Sequence, residues 1–206
     1  MACWSAENAT NAYLRTMRMG NNAKETNGSE FISALAAGNN VQFVVVACGG
    51  TADSTTLALA AAAQQTGGRI VCILPDEQKL HTSEITLATN VEFVVGDANE
   101  LLSNTYKGFD FVAIDCNLEN HETIITALRE KVKCHNNNAI VMGYNAFCKE
   151  TWRNSDLRTQ LLPIGEGLLL TRTRKSKSNW VVKVDKCTGE EHVYKVRSSV
   201  GRFIRA

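Results

Sequence analysis

Four short apolar runs in this chain end in residues able to hold a polar ligand. Val41–Cys48 leads into Gly49-Gly50, Arg69–Leu74 into Pro75-Asp76, Val91–Val95 into Gly96-Asp97-Ala98, and Phe109–Ile114 into Asp115. Glycines let backbone approach a ligand closely, and carboxylates accept hydrogen bonds from its hydroxyl and amino groups. His121, six residues beyond Asp115, is a candidate general base, with a solvent-facing or capping histidine as the alternative. The seven cysteines, at 3, 48, 72, 116, 134, 148 and 187, are odd in number and contain no C-x-x-C pair. They read as reduced, mostly buried thiols of a cytoplasmic protein rather than a disulfide framework or a zinc site. G-x-G-x-x-G does not occur in the chain, which sets aside nicotinamide chemistry.

The runs that position these residues are too short for helices and rich in β-branched side chains, as expected of strands buried on both faces. Between them lie helical patterns: Ser54–Gln65 closed by Gly67-Gly68, a helix from the mid-70s to about Ala88, Ala98–Leu102, and about Glu119–Lys131. A fifth strand is expected at Ala139–Met142. Two helices precede all of this. One is capped by Ser5 and stopped by Gly20-Asn21-Asn22; the other starts at Ser29-Glu30 and is stopped by Gly38-Asn39-Asn40. Five strands alternating with four helices predict a doubly wound, mostly parallel α/β sheet with right-handed crossovers. Ligands of such sheets bind at the carboxyl ends of the strands, which makes residues 48–54, 74–77, 96–98 and 115–118 the candidate loops. Asp110, at the opposite end of its strand, reads as structural.

The pattern then becomes antiparallel. Gln160–Pro163 and Leu168–Arg172 flank a glycine turn, and Asn179–Val184 and His192–Val196 flank Cys187-Thr188-Gly189-Glu190. We read residues 1–206 as a single domain: N-terminal helices over 1–40, a Rossmann-like core over 41–173 and an extra basic hairpin over 174–206. The net charge of +1 predicts no polyanionic partner, although residues from Lys149 onward hold 13 Lys+Arg against 6 Asp+Glu. Those basic residues alternate with Val and Trp, which favours a solvated strand pair over a nucleic-acid surface. No apolar run approaches the ~20 residues of a membrane span, and the opening residues show no secretory leader.

Four segments resemble the class I S-adenosylmethionine-dependent O-methyltransferases of the catechol and caffeoyl-CoA type. They are Asp53–Ala60, Val91–Ala98, Phe109–Asp115 and Leu162–Leu170, in one order over roughly residues 25–175. The resemblance implies a seven-stranded methyltransferase-like sheet and S-adenosylmethionine as cofactor. It implies a cofactor site at Gly49, Gly50, Asp76, Asp97, Ala98 and Asp115, with the Gly96-Asp97-Ala98 turn holding adenine. Asp97 can equally serve as a helix N-cap. Tyr144 and Trp152 are candidate pocket walls or core. The whole chain, from Met1-Ala-Cys-Trp-Ser-Ala-Glu onward, also resembles a plant family known only as a domain of unknown function.

Carried over residue by residue, the enzyme motif is incomplete. Ala47 stands where the glycine loop should begin with an acid, and Leu74 where an acid should hold both ribose hydroxyls; losing that contact costs about 1–3 kcal/mol. The metal-binding Asp-Asn pair falls on Gly143-Tyr144, or on Tyr144-Asn145 with a one-residue slip, so no metal is expected. Two functions follow from the resemblance: a metal-independent methyltransferase of unknown acceptor, or a catalytically inactive member of the fold that binds a ligand or a protein. No catalytic residue is assigned. Homodimer formation through surface helices is what the resemblance allows.

Overall fold

A continuous apolar segment of five or six residues buries both faces only inside a sheet covered on both sides. In the computed structural model, which describes residues 4–19, 28–86, 91–134, 139–148, 159–172, 180–184 and 191–195, each of the five runs is a strand; four are buried along nearly their whole length, and Val91–Val95, at the sheet edge, is half-buried with Glu92 exposed. They are β1 (Phe43–Ala47), β2 (Arg69–Leu74), β3 (Val91–Val95), β4 (Phe111–Asp115) and β5 (Ile140–Tyr144). With β6 (Thr159–Leu162) and β7 (Leu168–Arg172) they form one sheet in the order β3-β2-β1-β4-β5-β7-β6. Neighbours among β1–β5 are parallel, and β7 runs antiparallel to both β5 and β6. The expected seven-stranded, mostly parallel sheet is therefore present.

Six helices accompany it among the described residues: α1 (Ala6–Met19), α2 (Gly28–Gly38), α3 (Ser54–Thr66), α4 (Glu77–Thr86), α5 (Ala98–Asn104) and α6 (His121–Cys134). Their starts follow the capping rule that a short polar side chain accepts an orphan N–H of the first turn. Ser5 Oγ accepts from Asn8 N at 3.2 Å, and Asp53 Oδ1 from Thr55 N and Thr56 N at 3.0 and 3.2 Å. Asp76 Oδ1 accepts from Lys79 N, and Asp97 Oδ1 from Glu100 N, both at 2.8 Å. Helix α6 begins at His121 rather than Glu119, because residues 115–118 first close a turn from Leu118 N to Asp115 O at 3.1 Å. Strand β4 begins at Phe111 because the Asp110 carboxylate is used to accept Gln42 N and Phe43 N, which anchors the start of β1. Asp110 is structural, as expected.

Side-chain alternation divides the core into two layers. Val44, Val46, Cys72, Phe111, Ala113 and Met142 meet α1, α2 and α3 on one face; Val45, Ala47, Val71, Ile73, Val112 and Ile114 meet α5 and α6 on the other. By this rule Ala47 and Cys48, adjacent in sequence, belong to opposite layers. The turn entering β2 is packed backbone to backbone, with Arg69 N donating to Gln42 O at 2.8 Å.

The chain divides into two compact units, Met1–Thr173 and Arg174–Ala206. In the second, β8 (Trp180–Val184) and β9 (Glu191–Lys195) form the expected antiparallel pair, with Val182 opposite Val193 and Lys183 opposite His192. The expected helix stop at 20–22, the helix end near Ala88, Trp152, the connector at 174–178 and the turn at 187–190 lie outside the described residues.

A Cβ added at Gly68 would lie 2.7 Å from Gln42 O and 2.9 Å from Gln42 C and Cα, all backbone atoms that no rotamer change can move. Gly68→Ala is therefore expected to cost about 1–3 kcal/mol in urea denaturation. Gly50→Ala, where a Cβ meets nothing within 4 Å, should stay within about 0.5 kcal/mol. Equal losses would refute the close-approach reading of Gly68.

Candidate functional site

The strand order reverses direction between β1 and β4, and a doubly wound sheet opens its binding crevice at that switch point. Here the crevice is bridged. Asp115, the last residue of β4 and only 6% exposed, accepts Gly49 N at 3.1 Å on Oδ2. Its Oδ1 accepts Asn117 N and Asn145 Nδ2, each at 3.0 Å. One carboxylate thus ties together the loops that follow β1, β4 and β5. Glycine at position 49 is what permits this contact, since a Cβ there would stand 3.1 Å from Asp115 Oδ2 and 3.2 Å from Asn117 Cβ and Leu118 N. Asn145 reaches back from the end of β5 with φ +57°, a left-handed conformation that asparagine tolerates better than most residues.

Beside this bridge, on the β2–β3 side, lies a cavity of about 280 Å³. Its wall is made by Cys48 after β1, Ile73, Leu74 and Pro75 at the end of β2, Gly96, Asp97 and Ala98 after β3, and Leu118 and Asn120 before α6. Of the six expected cofactor residues, Asp97 and Ala98 are in this wall, while Gly49 and Asp115 form the bridge beside it. Gly50 and Asp76 are not among the lining residues; Asp76 is exposed and caps α4. Leu74 is fully buried and contributes apolar wall where the enzymes place an acid.

Cys48 and Leu118 fall in the loops expected to hold a ligand, whereas sequence reasoning did not single out Ile73 or Asn120 as cavity residues, or Asn145 as a hydrogen-bond partner of Asp115. An asparagine directly after a buried strand was the available signal for Asn145, but it names no partner. His121 is buried, and its Nδ1 lies 2.7 Å from Leu118 O. A carbonyl can only accept, so Nδ1 carries the hydrogen of this contact. His121 is therefore neither solvent-facing nor part of the cavity wall. Tyr144 is core, fully enclosed, with its hydroxyl donating to Cys48 Sγ at 3.8 Å. Burial, reinforced by Cys48, Asp53 and Asp115, holds the Tyr144 hydroxyl well above the usual phenol range.

Three N–H groups point at the oxygens of Asp115, whereas a hard cation such as Mg²⁺ needs oxygen ligands. Among the described residues no group of three or more His, Cys, Asp and Glu is placed to hold a metal ion. Asp115→Ala would leave these donors without their acceptor and is expected to lower stability by about 3 kcal/mol, with Asp115→Asn losing less because one oxygen still accepts. Equal stability of Asp115→Ala and the parent in urea denaturation would refute the bridge.

Asp53 supplies a pH test. Burial is the largest influence on its carboxyl and raises it above the ordinary aspartate value; backbone donors Thr56 and Thr55 oppose this, and Asp115 adds to it. A raised folded-state value means stability that is complete below the unfolded value and lost as pH rises through the folded one. Asp53→Asn keeps the cap but removes the charge. Its stability should therefore gain on the parent as pH rises from acid toward neutral, and parallel curves would contradict this.

A seven-stranded sheet of this order, with polar loops gathered at the carboxyl ends of β1–β4, is the fold of the Rossmann-like methyltransferases. The S-adenosylhomocysteine-bound methyltransferase PaMTH1 from Podospora anserina superposes with a TM-score of 0.56 at 11% identity, over 83% of this chain and 90% of its own. The cofactor-bound Rv0187 from MTB gives 0.53 at 21% identity, over 80% and 89%. At these identities the shared feature is the fold. The chain belongs to the family described as protein of unknown function (DUF1442), whose model matches residues 1–196. No curated protein matches it.

Proposed function

We propose that this methyltransferase-fold protein binds S-adenosylmethionine, with metal-independent methyl transfer to an unknown acceptor as its activity. The observation that carries the reading is the cavity at the carboxyl ends of β2 and β3, walled by Gly96-Asp97-Ala98 and by Leu74-Pro75. Such a position is where doubly wound sheets take nucleoside ligands, and PaMTH1, of the same fold, holds S-adenosylhomocysteine. Asp97 offers a carboxylate for the adenine amino group, and Leu74, Pro75 and Ala98 offer apolar wall for the ring and ribose. The likeness to the catechol and caffeoyl-CoA enzymes does not extend to their metal, because the donors on Asp115 suit a carboxylate already committed to N–H groups. The free thiols Cys48, Cys72, Cys116 and Cys148 support a reducing compartment such as the cytoplasm.

A second reading, a non-catalytic binding module, is favoured by the Gly49 N–Asp115 bridge, which occupies the crevice where a methyl donor and acceptor would meet. The basic balance of the C-terminal sequence, 13 Lys+Arg against 6 Asp+Glu from Lys149 onward, suits such a module. Calorimetric titration with S-adenosylmethionine and S-adenosylhomocysteine separates these readings from a closed site. Binding in the micromolar range is expected. Asp97→Asn, which keeps the α5 cap, should weaken it about tenfold with stability within about 0.5 kcal/mol of the parent. No heat up to millimolar ligand would overturn cofactor binding. Binding without transfer to any acceptor would select the second reading.

A further inference from the structure

Two buried thiols meet at the edge of the cavity. Cys48 Sγ and Cys72 Sγ are 3.4 Å apart, and both side chains belong to the core layer under α1–α3. Cys72 lies within β2, opposite Val46 of β1, and is fully enclosed. Cys48 is one residue past the end of β1, and although only 2% exposed it forms part of the cavity wall. Cys48 is thus the member of the pair that borders the cavity, and Cys72 is not among its lining residues. Thr56 Oγ1 at 3.7 Å and the Tyr144 hydroxyl at 3.8 Å surround Cys48 Sγ, with the carboxylates of Asp53 and Asp115 acting on the same cluster. The hydrogen bond from Cys72 holds the Cys48 thiol below its ordinary range, while the same bond and burial push Cys72 up. Because Cys48 borders the cavity and Cys72 does not, Cys48 is the attacking sulfur and Cys72 the resolving one.

We propose that Cys48 and Cys72 are a peroxide-reactive dithiol whose oxidation to a disulfide reshapes the cavity. The Cys48 thiolate attacks one oxygen of hydrogen peroxide, the O–O bond breaks, and the departing hydroxide takes up a proton, leaving Cys48 as sulfenic acid and one water. The Cys72 sulfur then attacks the Cys48 sulfur, the S–O bond breaks, and hydroxide leaves with the Cys72 proton as a second water. Two thiols lose two electrons to one peroxide, giving one disulfide and two waters. The sulfurs must approach from 3.4 Å to the bonded distance of about 2.05 Å. Cys72 is fixed in the sheet ladder and Cys48 N is itself held by Ile73 O at 3.0 Å, so the bond forms at the expense of that contact or of the loop that follows Cys48. The next residue, Gly49, carries the N–H that holds Asp115. The disulfide accordingly pulls on both the cavity wall and the bridge.

The chemistry stands apart from the cofactor reading; its consequence for ligand binding rests on that reading. Reduced full-length protein is exposed to a few equivalents of hydrogen peroxide, blocked with N-ethylmaleimide, digested without reductant and mapped by mass spectrometry. A Cys48–Cys72 cross-linked peptide, cleaved by dithiothreitol, is expected. In the Cys72→Ala chain, dimedone should instead trap Cys48 as sulfenic acid. Both residues recovered as maleimide adducts, at a dose that oxidises the exposed Cys148, would overturn the proposal, as would a sulfenic acid at Cys48 of the parent without the cross-link. Titration with S-adenosylhomocysteine should show at least tenfold weaker binding after oxidation, restored by dithiothreitol. Equal affinity would overturn the link to the cavity. No binding by the reduced protein would overturn the cofactor reading, and the peptide map alone would then decide the dithiol.

Discussion

The carboxyl end of the sheet depends on one buried carboxylate. Three loops that the topology sends in different directions converge on Asp115, and a buried charge without partners would cost several kcal/mol. The N–H groups of Gly49 and Asn117 and the amide of Asn145 supply those partners. The constraint propagates outward. Gly49 must be glycine to come close enough, Asn145 must adopt positive φ to reach back, and residues 115–118 must turn before α6 can begin. The cavity is what remains open beside this node.

That arrangement gives physical meaning to the missing enzyme residues. In the methyltransferases that the chain resembles, the aspartate after the fourth strand serves a metal; in this chain its oxygens face N–H groups. Ala47 packs into the α5–α6 layer instead of presenting an acid, and Leu74 is fully buried at the end of β2. These substitutions agree with one another. At both positions the side chain serves internal packing.

Much of the architecture was legible in the sequence. The largely apolar runs at 43–47, 70–74, 91–95 and 111–114 named the strands, and the polar residues before helices named two of the caps, Ser5 and, as an alternative to a ligand role, Asp97. Boundaries were less legible where a residue serves two elements. Asp110 belongs by composition to β4 but uses its carboxylate on the start of β1, and Glu119-Asn120 reads as helix but follows a turn set by Asp115. The site was legible only in part. Cys48, Asp97 and Ala98 could be placed near a cavity from their position after a strand, whereas no local signal showed that Asp76 is occupied capping an exposed helix or that Ile73 and Asn120 form part of the wall.

By itself the sequence determined which segments are strands and helices and which ends of them carry polar groups, because periodicity and capping act between residues within four of one another. Only the tertiary structure decided which polar groups meet. Asp115 finds Gly49 across 66 positions and Asn145 across 30, and Cys48 finds Cys72 across 24. Those encounters follow from strand order and register, which emerge only when both faces of the sheet are covered at once and every buried donor and acceptor has to find its partner.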